Sequence, residues 1–176
     1  TEPPADDPGT TEPPADDPVA PGTELSFTAV ADTTVREDRP TTNYGTAAVV
    51  GVDSVPLKRT LLRFEVQGIG TGTVSSARLR LYVVDTSAEG GSFHAVAGHW
   101  SERDVTWATG PELAGSPVAS LGEVSAGQWV EVDVTALVDS DGTVDLGIMS
   151  RSTNGADYAS REQTAFAPRL VVVVGA

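Results

Sequence analysis

The sequence predicts an all-β fold, a β-sandwich or a barrel, and three observations support this prediction. Residues 58–66 alternate between apolar and charged side chains, and residues 78–83 repeat the alternation. This period of two is expected of a strand with one face in a core and the other face in water. Short segments of this kind are separated by turn residues in a chain with 18 Gly and 12 Pro, and no segment has helical periodicity.

The two alternating segments form the centre of the predicted domain. Their inward faces are expected to consist of Thr60, Leu62, Phe64 and Val66 in the first segment and Leu79, Leu81 and Val83 in the second. The opposite faces, which we expect to be polar and exposed, carry Arg59, Arg63, Glu65, Arg78, Arg80 and Tyr82.

The other elements follow from the same pattern, taken in chain order. Strands are predicted at residues 25–30, 33–36 and 47–52 before the two central segments, and at 92–97, 119–124, 128–134, 143–151 and 169–174 after them. Residues 135–138 are expected to form one helical turn. The last strand is apolar on both sides, so it should be central or covered on both faces. Strands near residues 27 and 171 are expected to pair and to bring both ends of the domain to one pole.

The N-terminal segment differs in composition from the rest of the chain. The octapeptide TEPPADDP occurs at residues 1–8 and again at 11–18. Proline interrupts helices and strand ladders, and the repeated carboxylates repel one another. We therefore divide the chain into a disordered Pro/Asp-rich linker at residues 1–23 and a folded domain at residues 24–176. A linker of this kind is typical of secreted proteins with several modules, although a tail without a mechanical role has a similar composition.

Bulk composition excludes several classes of function. The formal charge of −14 argues against nucleic acid as a partner, because phosphates require a basic surface. Residues 1–23 hold six acidic and no basic groups, so the remainder carries −8. The absence of cysteine removes disulfides and thiolate chemistry. The longest apolar run, residues 170–174, is too short to span a membrane.

An ordered set of motifs resembles a known family. The first half contains ADTTV at residues 31–35, TNYG at 42–45, RTLLRF at 59–64 and SARLRLY at 76–82. The second half continues with HWSE at 99–102, VTW at 105–107, Trp129 before DVT at 133–135, SRE at 160–162 and APRL at 167–170. This set, over residues 27–174, is similar to the DNRLRE domain, of which some members are classed as carbohydrate-binding module family 96.

The resemblance implies a fold, a function and a location. It implies a jelly-roll-type β-sandwich from a large, often repetitive, secreted or surface protein of bacteria or archaea, with neighbouring modules on the same polypeptide. Alginate is a ligand in the family, but Lys58 is the only lysine here, so no lysine-rich alginate surface is expected.

The outward arginines of the two central strands are the first candidate site. Arg59, Arg63, Arg78 and Arg80 with Tyr82 could form one platform for an acidic sugar, because guanidinium groups bind carboxylates bidentately and tyrosine offers a stacking surface. The alternative is a solvated sheet face on which the arginines pair with Glu65, Glu131 and Asp133.

The tryptophans and two loops supply the second candidate. Trp107 and Trp129 are expected in the core, whereas Trp100 is expected to be exposed and able to stack on a sugar ring. The loop residues Asn43, Tyr44, Asn154, Tyr158, Arg161 and Glu162 offer the planar donors, acceptors and rings that sugar hydroxyls need. The alternative is structural, with the asparagines forming turns and Arg161 and Glu162 anchoring the last strand.

No catalytic constellation is visible in the sequence. The two histidines, His94 and His99, lack metal-ligand spacing, and no serine nucleophile motif is present. Residues 139–145 contain three aspartates, but their spacing falls short of a calcium loop and favours a turn at Asp141–Gly142. A structural calcium elsewhere is compatible with the family, without ligands that can be named.

We therefore predict a non-catalytic carbohydrate-binding module of a secreted or cell-surface protein, with a polysaccharide, including an acidic one, as its partner. The alternative is a structural or adhesive repeat domain that associates with itself in a surface layer or fibre.

Overall fold

The computed structural model describes residues 22–175, so the predicted linker, apart from Gly22 and Thr23, lies outside the described residues. Within this range the chain forms antiparallel strands and a single 3-10 turn. The elements are β1 (Thr23–Thr28), β2 (Ala31–Arg36), β3 (Val49–Ser54), β4 (Leu57–Val66), β5 (Thr73–Asp85), β6 (Gly91–Ala97), β7 (Glu112–Leu121), β8 (Trp129–Asp133), the 3-10 turn (Thr135–Leu137), β9 (Gly142–Met149), β10 (Ala156–Ala159) and β11 (Arg169–Gly175). The predicted all-β sandwich fold is confirmed.

The strands form one curled antiparallel sheet that folds back on itself. Its first half, called sheet A here, has the order β1, β11, β5, β8, and its second half, sheet B, contains β2, β4, β9, β6 and β7 in this order. Strands β3 and β10 connect the halves, because β10 pairs with both β3 and β5, and β3 pairs with β4.

The main core lies between the two halves and is built from the predicted inward faces. Leu62 and Phe64 of β4 and Leu79 and Leu81 of β5 have no exposed side-chain surface. The alternation in the sequence therefore assigned the inward faces of both central strands correctly. Burial of these side chains is the main force that holds sheet A on sheet B.

The two ends of the domain meet as predicted. Strand β1 pairs with β11 along its whole length, with Phe27 opposite Leu170. Strand β11 lies between β1 and β5, which is the central position expected of a strand that is apolar on both sides. The helical turn expected at residues 135–138 is present as the 3-10 turn.

Two strands differ from the prediction. Strand β10 falls in a segment that we expected to be a loop, because Asn154 and Gly155 precede it and it is only four residues long. Strand β7 begins at Glu112, seven residues before the predicted start, and its pairing with β6 is interrupted by a bulge. Gly115 and Pro117 lie on the β7 side of this interruption and hide the strand from a propensity-based prediction.

A second, smaller core lies on the outer face of sheet B. Residues 98–111, which connect β6 to β7, fold over this face. Trp100 and Val105 of this connection pack against Leu61 of β4 and against Val35 of β2. The outer face of sheet B is therefore largely covered by protein, although the alternating sequence of β4 predicted that its outward residues face water.

Replacement of Phe64 by alanine tests the assignment of the main core. Phe64→Ala should lower the free energy of unfolding by about 3–5 kcal/mol, because it removes a large side chain from a closely packed interior. Glu65→Ala, the matched control on the neighbouring exposed position, should change it by less than about 1 kcal/mol. Urea denaturation measures both, and equal losses would contradict the inward and outward assignment of β4.

Candidate functional site

The predicted arginine platform is divided between two surfaces. Arg59 and Arg63 lie on the outer face of sheet B, whereas Arg78, Arg80 and Tyr82 lie on the outer face of sheet A. The prediction of a single platform is wrong for a topological reason. Strands β4 and β5 are consecutive in the chain, but the connection between them crosses from one half of the sandwich to the other and does not form a hairpin.

Arg63 is enclosed by protein groups. Its Nε and one terminal nitrogen donate to the two carboxylate oxygens of Asp145, at 2.8 and 2.9 Å, and its other terminal nitrogen donates to the Trp100 carbonyl at 3.1 Å. Its guanidinium carbon lies 4.6 Å from the centre of the Trp100 ring. All of these contacts engage the side chain inside the domain, so Arg63 does not offer a free guanidinium to a ligand.

Trp100 is buried, which corrects the expectation that it is exposed. Only 3% of its surface is accessible, and its indole nitrogen donates to Asp145 at 2.9 Å. The polar residues around it in the sequence indicated exposure, but of its immediate neighbours only His99 is exposed, and Glu102 is turned toward the sandwich. Trp107 is half-buried on the second core, where the guanidinium of Arg59 lies 4.7 Å from its ring centre.

The loop residues are mainly structural. The Asn43 amide nitrogen donates to the carbonyls of Glu102 and Val105, both at 2.7 Å, and its oxygen accepts from the Gly45 amide. Tyr158 lies on β10, not in a loop, and is fully buried, with its hydroxyl donating to the Gly90 carbonyl at 2.6 Å. The Asn154 amide donates to the Thr86 carbonyl. The contact between Asn43 and Gly45 is the expected turn, but the amide nitrogens of Asn43 and Asn154 bind carbonyls that are distant in the sequence. Tyr44 is half-exposed.

Arg161 anchors the covering connection to the sandwich. Its guanidinium donates to both carboxylate oxygens of Glu102, at 2.6 and 2.8 Å, and its backbone amide donates to Asp32 at 2.6 Å. Glu102 also accepts from the Asp32 amide at 2.8 Å, and Glu162 lies 3.6 Å from the Arg161 guanidinium. Arg161 thus has a structural role, but it binds the covering connection and β2, whereas the structural alternative expected it to anchor the last strand.

The carboxyls of this network have different pKa values. Burial raises the pKa of Asp32 to about 7, and the nearby carboxylates of Glu162 and Glu102 add to the rise. For Glu102, burial acts in the same direction, but the hydrogen bonds from Arg161 and from the Asp32 amide outweigh it and hold its pKa below the ordinary value. Asp32 is therefore the carboxyl in this network that titrates near neutral pH.

The stability of the domain should depend on the protonation of Asp32. Because its folded pKa is raised, the folded state binds an extra proton between pH 4 and 7, so the stability from this group is present at low pH and is lost as the pH rises through about 7. Asp32→Asn keeps an oxygen acceptor but cannot ionise. Between pH 5 and pH 8 the free energy of unfolding of the parent protein should therefore fall by about 1–3 kcal/mol relative to that of the variant. Urea denaturation at the two pH values measures this, and parallel profiles would contradict the assignment.

Arg63→Ala should lower the free energy of unfolding by about 1–3 kcal/mol, because it leaves the Asp145 carboxylate and the Trp100 carbonyl without their donor. Arg63→Lys should recover only part of this loss, since an ammonium group cannot bind both carboxylate oxygens in the same planar geometry. The exposed Arg39→Ala is the control. An unchanged free energy of unfolding in Arg63→Ala would show that the covering connection does not depend on this contact.

The outer face of sheet A is the surface that remains open. It carries a group of side chains that we call the arginine–aromatic face, consisting of Arg78, Arg80, Tyr82, Trp129, Phe166 and Arg169. The cross-strand register places Tyr82 opposite Trp129 and Arg80 between Glu131 and Arg169. Three of these residues, Arg78, Arg80 and Tyr82, were predicted as site residues.

Three aromatic rings form one end of this face. Tyr82 and Phe166 are stacked with their ring centres 4.1 Å apart, and Trp129 meets Tyr82 edge-on at 5.5 Å. Phe166 is 37% exposed, and the other two rings are half-buried. The expectation that Trp129 belongs to the core is wrong, because it occupies an outward position of β8.

Basic groups adjoin the rings. The guanidinium of Arg80 lies 5.3 Å from the centre of the Trp129 ring and pairs with Glu131 at 3.0 Å. Arg78 is 61% exposed and lies 3.9 Å from the same carboxylate. Two arginines thus share one glutamate. Arg169 is half-buried on β11, and among residues 22–175 no carboxylate lies within 4.0 Å of its guanidinium. Asp133 lies opposite Arg78 on the same face, so Arg78, Arg80 and Arg169 face two carboxylates and leave one net positive charge here, in a chain with a formal charge of −14.

Besides Trp129, which was assigned to the core, two members of the face were not identified from the sequence. Phe166 lies in an irregular segment where no periodicity predicts its orientation, and it joins the face through its contacts with Tyr82 and Trp129. The sequence does predict an outward orientation for Arg169, because this residue precedes the buried Leu170 in the alternating pattern of the last strand. However, its position next to Arg80 could not be predicted without knowing that β11 pairs with β5.

The aspartates at residues 139–145 have structural contacts. Asp141 accepts hydrogen bonds from the amides of Ile69, at 2.7 Å, and Gly70, at 3.4 Å, and so fixes the connection that crosses between the two sheets. Asp145 binds Arg63. Within residues 22–175, no three His, Cys, Asp or Glu side chains are grouped closely enough to hold a metal ion.

The fold and this surface define a class of protein, a β-sandwich domain with one covered sheet and one open, aromatic and basic sheet face. The model of carbohydrate-binding module family 96 matches residues 23–174, and the chain belongs to this family. The resemblance seen in the sequence motifs is thereby confirmed. A search of curated proteins gave no significant match. Among the described residues there is no helix of the length and apolarity needed to cross a membrane.

Proposed function

We propose that this domain is a non-catalytic carbohydrate-binding module that binds an acidic polysaccharide on the arginine–aromatic face. The observation that carries the proposal is the open cluster of Tyr82, Trp129 and Phe166 beside Arg80. Family membership supports carbohydrate as the ligand class, and the composition of this face supports the acidic type.

The aromatic rings suit the apolar faces of sugar rings. A pyranose presents C–H groups on one side, and these pack favourably against an aromatic face while the hydroxyls remain in water. The half-exposed Trp129 and exposed Phe166 provide such area at the edge of the sheet. A rigid antiparallel sheet holds them in place, so little conformational entropy is lost on binding.

The arginines suit the carboxylates of a polyuronate or the sulfates of a sulfated chain. Arg78 and Arg80 share Glu131, so their pairing is incomplete and a ligand carboxylate could take a bidentate position on either one. Arginine is preferred to lysine for such planar recognition. This agrees with a chain that contains ten arginines and one lysine.

We further propose that the parent protein is secreted or displayed on a cell surface, where polysaccharides are encountered. The Pro/Asp repeat at residues 1–23 supports this, because such linkers separate modules in secreted proteins. The alternative of a self-associating structural repeat receives less support. The edge strand β7 contains Gly115 and Pro117 at a bulge, and such features discourage strand-to-strand assembly.

Substitutions on the arginine–aromatic face should weaken binding of an acidic oligosaccharide. Arg78→Ala with Arg80→Ala, and separately Trp129→Ala, should each raise the Kd for a polyuronate hexamer about tenfold or more, because they remove charge-assisted contacts and stacking area, respectively. Isothermal titration calorimetry measures the constants. Arg103→Ala, an exposed arginine on the covering connection, is the matched control and should leave the Kd unchanged.

Salt and size measurements separate the proposal from its alternatives. Affinity for the acidic hexamer should fall moderately from low to high salt, as the Debye length drops below about 10 Å. Equal loss of affinity in Arg103→Ala would contradict a localised site. Self-association of the domain without binding of any glycan would support the structural role instead.

A further inference from the structure

A second surface of the domain has the features of a binding site, and it lies away from the arginine–aromatic face. A groove runs over the junction where β3 and β10 connect the two sheets. One half has a volume of about 230 Å³ and is lined by Tyr44, Arg36 and Val49, whereas the other has about 140 Å³ and is lined by Asp53, Asp85 and Asn154. Lys58 and Asp157 line both halves. We call it the Lys58–Asp157 groove.

The floor of the groove depends on a glycine. Gly51 of β3 lies opposite Asp157 of β10, and a Cβ at position 51 would overlap the Asp157 carboxylate. The absence of a side chain at this position leaves room for the carboxylate between the two strands. Asp157 is therefore held at the bottom of the groove by the backbone geometry.

The Asp157 carboxylate has no hydrogen-bond donor in the described part of the chain, residues 22–175. It is half-buried, and burial raises its pKa, while Lys58 partly offsets this effect and Asp85 and Asp53 add to it. Its oxygens are not among the fully buried unpaired atoms of the described residues, so they remain open to donors that enter the groove. A ligand that supplies O–H donors would satisfy the carboxylate.

The other groups in the groove narrow the ligand class. The Lys58 ammonium lies 3.4 Å from Asp53 and offers further donors, so the floor presents an acceptor beside a donor. A sugar hydroxyl can bind both, because it donates and accepts. Tyr44, half-exposed, supplies an aromatic wall for the apolar side of the ring.

Charge argues against an acidic sugar in this groove. Asp53, Asp85 and Asp157 outnumber Lys58, and the second cation, Arg36, is held by a bidentate pair with Asp38 at 3.0 and 2.9 Å. A carboxylate here would meet a negative surface. The net negative charge alone would admit a cationic amino sugar, so the choice rests on hydrogen bonding. A hydroxyl can donate to Asp157 and accept from Lys58, whereas an ammonium group has no acceptor for Lys58, so the neutral hydroxyl-rich ring is the best match.

From this arrangement we propose that the Lys58–Asp157 groove binds a neutral sugar unit of a polysaccharide. The inference rests on the proposed carbohydrate-binding role, but on a different surface with the opposite charge preference. The module would then contact two kinds of sugar, an acidic one on the open face of sheet A and a neutral one at the junction of the sheets.

The test is an NMR titration of the isotope-labelled domain with neutral hexasaccharides, namely cellohexaose, mannohexaose and maltohexaose. At least one of them should shift the amide signals of residues 44, 51, 58 and 157. Asp157→Asn removes the acceptor charge at constant shape and should weaken this binding about tenfold or more. Tyr44→Ala, which lies outside both cores, should weaken it as well and provides a second variant if Asp157→Asn lowers stability.

Controls separate this inference from the proposed function. Trp129→Ala should leave the neutral titration unchanged, and Asp157→Asn should leave binding of the polyuronate hexamer unchanged. Absence of binding by all three neutral hexasaccharides, or shifts confined to the arginine–aromatic face, would contradict neutral-sugar binding in the groove. Neither result would contradict the proposed acidic site. Binding of a glucosamine hexamer alone would overturn it in favour of a cation site.

Discussion

The interaction between Arg63, Asp145 and Trp100 determines which surfaces of this domain face water. Arg63 and Asp145 are neighbours across β4 and β9, and each has less than one-fifth of its side chain exposed. Trp100 lies over the guanidinium and binds the same carboxylate through its indole nitrogen. A planar cation between a carboxylate and an aromatic ring keeps its hydrogen bonds while it is covered, so a charged strand face can be buried under the connection at residues 98–111.

The covering of sheet B makes the two halves of the sandwich unequal. The ion pair between Glu102 and Arg161 binds the same connection to the segment after β10, and the carboxylate of Asp32 on β2 accepts a hydrogen bond from the Arg161 backbone amide. Sheet B is thus closed by apolar packing and two ion pairs. Among residues 22–175 no segment covers sheet A in this way, and its outward aromatic and basic side chains stay accessible. The asymmetry leaves a single broad, rigid face on which an extended polymer could lie.

The sequence was sufficient for the fold and for part of the site. Alternation with a period of two predicted β4 and β5 and their inward faces, because it depends only on neighbouring residues along one strand. Whether an outward residue reaches solvent depends on what another segment places over it. Arg63 and Arg80 have the same local pattern, yet one is enclosed by Trp100 and the other is open. Trp100 and Tyr158 were misplaced for the same reason, since tertiary contacts decided their burial.

Charge on this domain is arranged locally, and the net value alone is a poor guide to its ligands. The chain carries −14, of which six charges belong to residues 1–23. At physiological salt, exposed charges more than about 8 Å apart interact weakly, because mobile ions screen them. A ligand on the arginine–aromatic face would therefore respond mainly to the arginines in contact with it, and a ligand in the Lys58–Asp157 groove would respond mainly to the aspartates there. Distant carboxylates slow the approach of a polyanion without preventing short-range contacts, so the net charge of this chain does not exclude the acidic polysaccharide that we propose as its ligand.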